Sequence, residues 1–298
     1  MRVVVALGGN ALLRRREAAT AENQRRNVCR AAEAVAPLAH DHQLIITHGN
    51  GPQVGLLALQ SAAGRGPPLD ILDAETEGMI GYLIEQELTG RLSAGRQCAT
   101  LLTQIEVDPE APAFDNPRKP IGPVYDAEQA KRLARERGWA LGVDGEYYRR
   151  VVASPRPRRI LELGVIELLV DQGVIVICAG GGGIPVVRRE DGSLIGVEAV
   201  IDKDAASALL AGELGADALL MLTDVDAVYL DWGEPHACPL QDVCVAEIRE
   251  QVFAPGSMAP KMAAACKFLE RGGGLVGIGA LGDAQAILDG RAGTRIRR

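Results

Sequence analysis

Short apolar runs along the chain alternate with longer stretches whose apolar residues recur at helical spacing. Residues 2–7 are almost continuously apolar and end at Gly8, which is typical of a strand buried on both faces of a parallel sheet. The next stretch carries a helical stripe behind a possible N-cap at Thr20. Further strands are predicted at 44–47, 98–105, 173–179, 218–222 and 275–281, and helices at 70–92, 160–171, 205–214 and 258–271.

This alternation predicts a mostly parallel α/β sheet with right-handed connections. Residues 108–125 interrupt it with five prolines, which we expect to prevent any regular element there. We therefore interpret residues 108–150 as an inserted flap. An Asp-Gly pair within 186–197 predicts a small surface hairpin. The apolar residues of helix 70–92 suit either the core or a subunit contact.

Composition excludes several classes of protein. With 39 acidic against 32 basic residues and 3% aromatic residues, the chain has neither the basic stripe nor the stacking platform of a nucleic-acid-binding protein. Its six cysteines include no CxxC pair, which is typical of reduced thiols. The longest uncharged run, residues 42–64, contains several polar side chains and starts far from the N-terminus. We therefore expect no membrane span, no signal peptide and a cytoplasmic protein.

Three predicted strands end directly in glycine-rich turns, at residues 8–10, 48–51 and 180–183. In a parallel sheet these turns lie at the same carboxyl edge, where open α/β folds bind ligands. Glycine lets the backbone approach an anion closely, and the N–H groups of a following helix bind phosphate oxygens. Together the turns indicate a polyphosphate site, although each alone also suits a tight strand-to-helix connection.

Familiar nucleotide-binding motifs do not explain these turns. No glycine is followed by lysine, so the chain has no Walker loop. A GxGxxG motif occurs at 277–282, but the chain ends 16 residues later, before the acidic residue that a dinucleotide site needs about 20 positions on. We interpret this segment as a final strand that packs closely on its helix, and an NAD-dependent oxidoreductase is kept only because the motif exists. His48 has no partner at the spacing of a catalytic triad or zinc site.

The lysines are few and therefore informative. Only five of the 32 basic residues are lysines, and Lys131 and Lys267 lie in ordinary helical charge patterns. Lys203 lies between two aspartates where a helix starts, Lys261 opens another helix, and Lys119 lies among the prolines of the flap. Phosphoryl transfer is catalysed mainly by positioning and by compensating charge, which such lysines can supply.

Eight sequence blocks occur in one order along nearly the whole chain: GGNAL at 8–12, HGNGPQVG at 48–55, KPIGP at 119–123, RRVVASPRP at 149–157, GGGGIPV at 180–186, GVEAVIDKDAAS at 196–207, LTDVDAVYLDWGEP at 222–235 and GSMAPK at 256–261. In these blocks the chain resembles the carbamate kinases of the amino acid kinase superfamily. The resemblance implies a three-layer α/β/α fold with a mostly parallel central sheet and a small protruding flap. Several related kinases carry a lysine just before the first glycine pair. This chain has Ala6 and Leu7 there, and Lys119 looks like the replacement, which speaks against acetylglutamate kinase or aspartokinase.

The resemblance implies a reversible phosphoryl transfer between carbamoyl phosphate and ADP that gives ATP and carbamate. Mg²⁺ would be carried by the nucleotide phosphates, with no metal ligand in the protein. Lys203 and Lys261 would neutralise the moving phosphoryl group and the nucleotide phosphates, Asp204 would orient both lysines, and Lys119 would close over the carbamoyl end. Backbone and amide donors would come from Gly8, Gly9, Asn10, Gly49, Asn50 and Gly51.

The resemblance also suggests where the nucleotide binds and how the chain assembles. The base and ribose would be bordered by Asp224, Asp226, Tyr229 and Met258. Residues 1–212, including the flap, would form a lobe for the phosphoryl acceptor, and residues 213–298 a nucleotide lobe. A homodimer and a role in arginine catabolism are further expectations. The chain departs from the usual family pattern at Ala153 and Ala259, and alanine suits position 259 only if its φ is negative.

Two other functions stay open on the sequence alone. A related kinase of the same fold would use another small acceptor, such as UMP or an amino acid carboxylate, and a panel of acceptors would separate it. A non-catalytic nucleotide sensor, suggested by Ala259 in the phosphate loop, would bind nucleotide without turnover.

Overall fold

The computed structural model describes residues 1–13, 17–18, 20–60, 67–254 and 258–298, with the side chains of residues 10 and 11 outside the description. Its helices are α1 Gly9–Leu12, α2 Ala21–Val35, α3 Gly51–Gln60, α4 Leu69–Thr89, α5 Ala127–Arg137, α6 Leu163–Asp171, α7 Lys203–Glu213, α8 Val245–Arg249, α9 Met258–Glu270 and α10 Ala284–Leu288. Short 3₁₀ turns span Ala36–His40, Gly180–Gly182 and Leu281–Asp283.

The strands fall into a large central sheet and smaller sheets around it. They are β1 Arg2–Leu7, β2 Gln43–His48, β3 Cys98–Thr100, β4 Gln104–Val107, β5 Lys119–Tyr125, β6 Leu141–Asp144, β7 Tyr147–Val152, β8 Pro157–Ile160, β9 Ile175–Ile177, β10 Ile184–Arg188, β11 Leu194–Gly196, β12 Ala218–Thr223, β13 Val228–Leu230, β14 Cys238–Leu240, β15 Asp242–Cys244, β16 Leu275–Ala280 and β17 Thr294–Arg297.

The central sheet has the order β15-β17-β16-β12-β1-β2-β9-β3, and the strands from β16 to β3 are all parallel. Alternate residues of β1 face opposite sides of the sheet. Val4 and Ala6 pack with residues of α6, α7 and α9, whereas Val3, Val5 and Leu7 pack with residues of α2, α4 and α10. The predicted three-layer α/β/α fold with a mostly parallel sheet is confirmed.

Local signals explain where α2 begins and which face it buries. The Thr20 hydroxyl accepts a hydrogen bond from the backbone N–H of Asn23 at 3.2 Å, so Thr20 is the N-cap that the sequence predicts. The stripe of Val28, Ala31, Ala32 and Val35 is buried.

The prediction of a single strand over residues 98–105 is wrong. The segment forms two strands in different sheets, because β3 pairs with β9 in the central sheet whereas β4 pairs with β10 and β8 in a second sheet of order β11-β10-β4-β8. The residue pattern of 98–105 does not reveal this change of sheet. The predicted hairpin is confirmed, since β10 and β11 pair antiparallel.

The flap is a three-stranded antiparallel sheet of order β5-β7-β6, with α5 between β5 and β6. The expectation that residues 108–125 contain no regular element is wrong, because β5 includes Pro120 and Pro123. Both prolines are tolerated because β5 is an edge strand whose pairing with β7 shifts register between Ile121 and Val124.

The flap lies on α3 through a contact between two glycine backbones. A Cβ atom built on Gly55 would fall 2.0 Å from the Cα of Gly122, and Gly122 has a φ of +72°. Only glycine permits both the approach and that backbone conformation. This contact holds the middle of β5 against α3, three residues after Lys119 at the first position of the strand.

The GxGxxG segment is a packing feature, as predicted. Gly277 and Gly279 lie in β16, between β12 and β17. A Cβ atom on Gly277 would fall 2.5 Å from the side chain of Ile287 in α10 and 2.7 Å from Leu220. The glycines therefore let α10 approach the sheet. Across the described ranges, no helix combines the length and apolar character that crossing a membrane requires.

Candidate functional site

The glycine turns after β1 and β2 meet at the carboxyl edge of the central sheet. Leu7, the last residue of β1, pairs with His48 of β2 on one side and with Leu222 of β12 on the other. The N–H of Gly8 donates to Leu222 O at 2.9 Å, and the N–H of Gly49 donates to Leu7 O at 3.0 Å. A Cβ atom on Gly49 would fall 3.0 Å from the nitrogen of Gly9. The two turns are therefore in direct contact, as their position after neighbouring parallel strands predicts.

Two of the predicted lysines share one buried carboxylate beside these turns. Lys203 Nζ binds Asp204 Oδ1, and Lys261 Nζ lies 2.8 Å from Asp204 Oδ2. The side chain of Asp204 is 6% exposed, and those of Lys203 and Lys261 are 14% and 10% exposed. A Cβ atom on Gly49 would fall 3.2 Å from the Cδ of Lys203, so this lysine's stem lies against the second glycine turn.

The flap lysine reaches the same helix terminus. Lys119 Nζ lies 3.0 Å from Oδ2 of Asp202. The other oxygen of Asp202 caps α7, because it accepts hydrogen bonds from the backbone N–H groups of Asp204 and Ala205, both at 3.1 Å. The start of α7 therefore gathers lysines from three distant parts of the chain.

Burial and the neighbouring charges shift the pKa values of this cluster in different directions. Burial alone would raise the pKa of Asp204, but the ammonium groups of Lys203 and Lys261 lower it well below its ordinary value. Burial and the neighbouring charge of Lys261 lower the pKa of Lys203 although Asp204 acts in the opposite direction. Burial alone would lower the pKa of Lys261, but the attraction of Asp204 and Asp202 raises it. The three lysines and two aspartates of this cluster carry one net positive charge among them when all five are ionised, which suits an anionic ligand.

The residues expected around the base and ribose differ in their distance along the fold from the lysine cluster. Asp224 directly follows β12, at the same sheet edge as the glycine turns. The Tyr229 hydroxyl lies 3.1 Å from both carboxylate oxygens of exposed Asp226. Met258 is partly buried at the start of α9, one turn before Lys261. No hydrogen bond or ion pair of the described residues joins Asp226 or Tyr229 to the lysine cluster.

Several expected site features lie wholly or partly outside the description. Asn10 belongs to α1, but its side chain is not described. Residues 256 and 257 of the GSMAPK block fall in the undescribed segment 255–257. Gly51 begins α3, and a Cβ there would meet no atom within 4 Å. Ala259 lies in helix α9 and is not among the described non-glycine residues with positive φ. Alanine therefore fits this position, and the observation that suggested a non-catalytic nucleotide sensor no longer supports it.

Sequence reasoning missed a set of polar side chains on the buried face of α4. Asp73, Thr76 and Glu77 are each at most 1% exposed. Asn50 Nδ2 donates to Asp73 Oδ1 at 2.8 Å and to Thr76 Oγ1 at 2.9 Å. The sequence signal that could have revealed this set is the spacing of Asp73 and Glu77, four positions apart within the apolar pattern of the helix.

Glu77 holds the third glycine turn. Its carboxylate accepts hydrogen bonds from the N–H of Gly180 at 2.7 Å and the N–H of Thr103 at 3.1 Å. Burial raises its pKa to about 8 against these hydrogen bonds. A Cβ atom on Gly181 would fall 2.2 Å from Asn50 Nδ2, and one on Gly182 2.4 Å from Ile201 O. The turn is therefore wedged between the second glycine turn and the start of α7.

Comparison with known proteins places this arrangement in a family. A model described as the amino acid kinase family matches residues 1–278. The carbamate kinases of Rhizobium meliloti (strain 1021) and Haemophilus influenzae (strain ATCC 51907 / DSM 11121 / KW20 / Rd) are each 54% identical over 301 residues, covering 99% and 100% of this chain and 93% and 97% of those proteins. The chain belongs to the carbamate kinase branch of the amino acid kinase family.

The fold of this amino acid kinase agrees with a solved relative. A carbamate kinase from Giardia lamblia bound to AMP-PNP superposes with a TM-score of 0.88 at 39% identity, covering 99% of this chain and 98% of that one. The family and fold predicted from the sequence blocks are confirmed.

Proposed function

We propose that the protein is a carbamate kinase, which transfers a phosphoryl group between carbamoyl phosphate and ADP to give ATP and carbamate. The observation that carries this proposal is the buried Asp204 carboxylate shared by Lys203 and Lys261 beside the glycine turns. Curated carbamate kinases 43–54% identical over nearly the full chain support the same activity.

The chemistry needs charge compensation and needs no general base. A carbamate oxygen is already anionic at neutral pH, so it attacks phosphorus without losing a proton. The moving phosphoryl group carries negative charge on its equatorial oxygens, which Lys203 and Lys261 would meet from two sides. Lys119 would act at the carbamoyl end, and the N–H groups of the glycine turns would hold the remaining oxygens. Removing one preorganised contact of this kind costs about 3 kcal/mol in the transition state.

The donor set fits a Mg²⁺ ion that arrives on the nucleotide. In the described ranges, no three His, Cys, Asp or Glu side chains are grouped to hold a metal ion. All four carboxylate oxygens of Asp202 and Asp204 already accept hydrogen bonds or ion pairs. The oxygen ligands of Mg²⁺ would come from the nucleotide phosphates and from water. The ion would neutralise part of the phosphate charge.

The proposal extends to the arrangement of the whole protein. Residues 1–212 would bind the acceptor and residues 213–298 the nucleotide, with Asp224, Asp226, Tyr229 and Met258 near the base and ribose. We further propose a cytoplasmic homodimer that produces ATP in arginine catabolism. Exposed apolar side chains on the outer face of α4 support a subunit contact there: Ile71, Met79 and Tyr82. Sedimentation of the purified protein at twice the monomer mass would support the dimer, and sedimentation as a monomer would reject it.

Coupled detection of ATP from ADP and carbamoyl phosphate tests the activity. We expect turnover by the wild type and a loss on the order of 100-fold in kcat/KM for Lys203→Met. The control is Lys131→Met, which removes an equally charged side chain that is 70% exposed and pairs only with Glu128 among the described residues. Folded wild-type protein that makes no ATP would reject the proposal. Stabilisation by nucleotide without turnover would indicate a sensor instead.

A further inference from the structure

The orientation of the Asn50 amide is fixed from behind the site. Its Nδ2 donates both hydrogens to α4, to Asp73 Oδ1 at 2.8 Å and Thr76 Oγ1 at 2.9 Å. The Thr76 hydroxyl donates its own hydrogen within α4, to Leu72 O at 2.9 Å or Asp73 O at 3.0 Å. A Thr76 hydroxyl that donates within α4 accepts from Asn50 Nδ2, which agrees with the amide orientation in the structure. Asn50 Nδ2 has no hydrogen left to donate to a substrate.

What the Asn50 side chain still offers is its oxygen. Both hydrogen bonds that this side chain makes to described residues start at Nδ2, so Oδ1 keeps its acceptor capacity. The amide lies against Gly181, where a Cβ atom would fall 2.2 Å from Nδ2 and 2.8 Å from Oδ1. The residue is only 2% exposed. The Asn50 side chain therefore presents an acceptor, whereas the family resemblance led us to expect backbone and amide donors from this set of residues.

The neighbours of Asn50 connect it to two of the site lysines, including Lys119, which the proposed function puts at the carbamoyl end. The preceding residue, Gly49, contacts the stem of Lys203. On the other side, burial raises the pKa of Asp73, and the Asn50 amide and the flap residue Lys119 act against that rise. Oδ2 of Asp73 is buried without a hydrogen-bond partner in the described part of the chain. Asn50 thus follows a residue that contacts Lys203, and its hydrogen-bond partner Asp73 is close enough to Lys119 for the two charges to interact.

Carbamate differs from acetate and bicarbonate by its amino group, which carries two N–H donors. A desolvated donor needs an acceptor, and a site built around such a hydrogen bond rejects analogues that lack the group. We infer that Asn50 Oδ1 accepts a hydrogen bond from the amino group of carbamate and carbamoyl phosphate, and that Asp73 and Thr76 are positioning residues that turn the amide this way. The inference rests on the proposed function and adds the basis of its acceptor specificity.

The test compares carbamoyl phosphate with acetyl phosphate, in which a methyl group replaces the amino group. For the wild type we expect kcat/KM for ATP formation at least about tenfold higher with carbamoyl phosphate. Asn50→Leu keeps the number of side-chain heavy atoms but has no acceptor. We expect it to lower kcat/KM for carbamoyl phosphate about 10- to 100-fold and for acetyl phosphate less than about threefold. An equal loss for both phosphates would mean a donor or purely structural role and would overturn the inference.

A second pair of variants tests the positioning role, and it decides the question if Asn50→Leu does not fold. Thr76→Val removes the acceptor but keeps the shape, whereas Thr76→Ser keeps the hydroxyl. The ratio of the two kcat/KM values should fall in Thr76→Val and return in Thr76→Ser, with KM for ADP unchanged in both. A ratio that is the same in all these proteins would reject the role of Asn50. A wild type that makes no ATP from carbamoyl phosphate would instead reject the proposed function.

Discussion

Replacing Asp204 by asparagine should lower the stability of the unliganded protein and make its stability depend more strongly on a bound anion. In the folded protein its carboxylate is 6% exposed and contacts the ammonium groups of both Lys203 and Lys261. Asp204→Asn keeps the shape but leaves two buried cations facing a neutral amide. Breaking a buried ion pair by removing one partner costs about 3–5 kcal/mol, so we expect a loss of unfolding free energy of this size. For a chain of this length that corresponds to a fall in Tm of about 10 °C.

A bound polyanion should reverse much of this loss. The phosphates of ADP supply negative charge to the same two lysines, so the difference in stability between wild type and Asp204→Asn should shrink at saturating ADP. Urea unfolding with and without ADP measures both quantities. The matched control is Glu128→Gln, which removes one negative charge from an exposed pair with Lys131 and should leave the transition unchanged.

Two results would refute this reasoning about Asp204. A variant as stable as the wild type without ligand would mean that the carboxylate does not hold the two ammonium groups together. A stability deficit that stays the same at saturating ADP would mean that the lysines do not face the nucleotide phosphates.

Three further outcomes are expected. Gly55→Ala would place a Cβ 2.0 Å from Gly122 Cα and push the flap away, so kcat/KM should fall at least about tenfold, whereas Gly164→Ala, with no atom within 4 Å, should keep full activity. Burial lowers the pKa of His48 to about 4, so the unfolded chain binds more protons than the folded one between about pH 4 and 6.5. Stability should therefore fall by about 3 kcal/mol as the pH drops through that window, and His48→Gln should remove this part of the slope in urea unfolding. The pH dependence that Glu77 contributes has the opposite sign, because burial raises its pKa to about 8. Its contribution to the free energy of unfolding should decline as the pH rises from about 4.5 to 8, and Glu77→Gln should flatten that decline in urea unfolding.

The sequence predicted those features that depend on one element and its immediate continuation. The strand 2–7 coincides with β1, and the glycine turns meet because parallel strands end at one edge. The prediction that Lys119, Lys203 and Lys261 act together rested on the small number of lysines, on the residues beside each of them and on the family resemblance. Their individual roles in the reaction stay predictions.

What the sequence missed depends on contacts between distant segments. Helical periodicity shows that Asp73 and Glu77 lie on the buried face of α4, but only the fold brings Glu77 to Gly180, more than 100 positions along the chain. The prolines of β5 led to the wrong prediction because a proline excludes a strand from the middle of a sheet but not from its edge. Likewise, the side-chain oxygen of Asn50 became distinguishable from its nitrogen only once its partners on α4 were known.

The two carboxylate oxygens of Asp202 have different partners. One stays committed to the first N–H groups of α7, and the other is shared with the flap through Lys119. A flap that releases Lys119 to a substrate gives up only the second oxygen, so the helix that carries Lys203 keeps its cap. Mobility of the flap and rigidity of α7 are therefore compatible, because they depend on different oxygens of the same carboxylate.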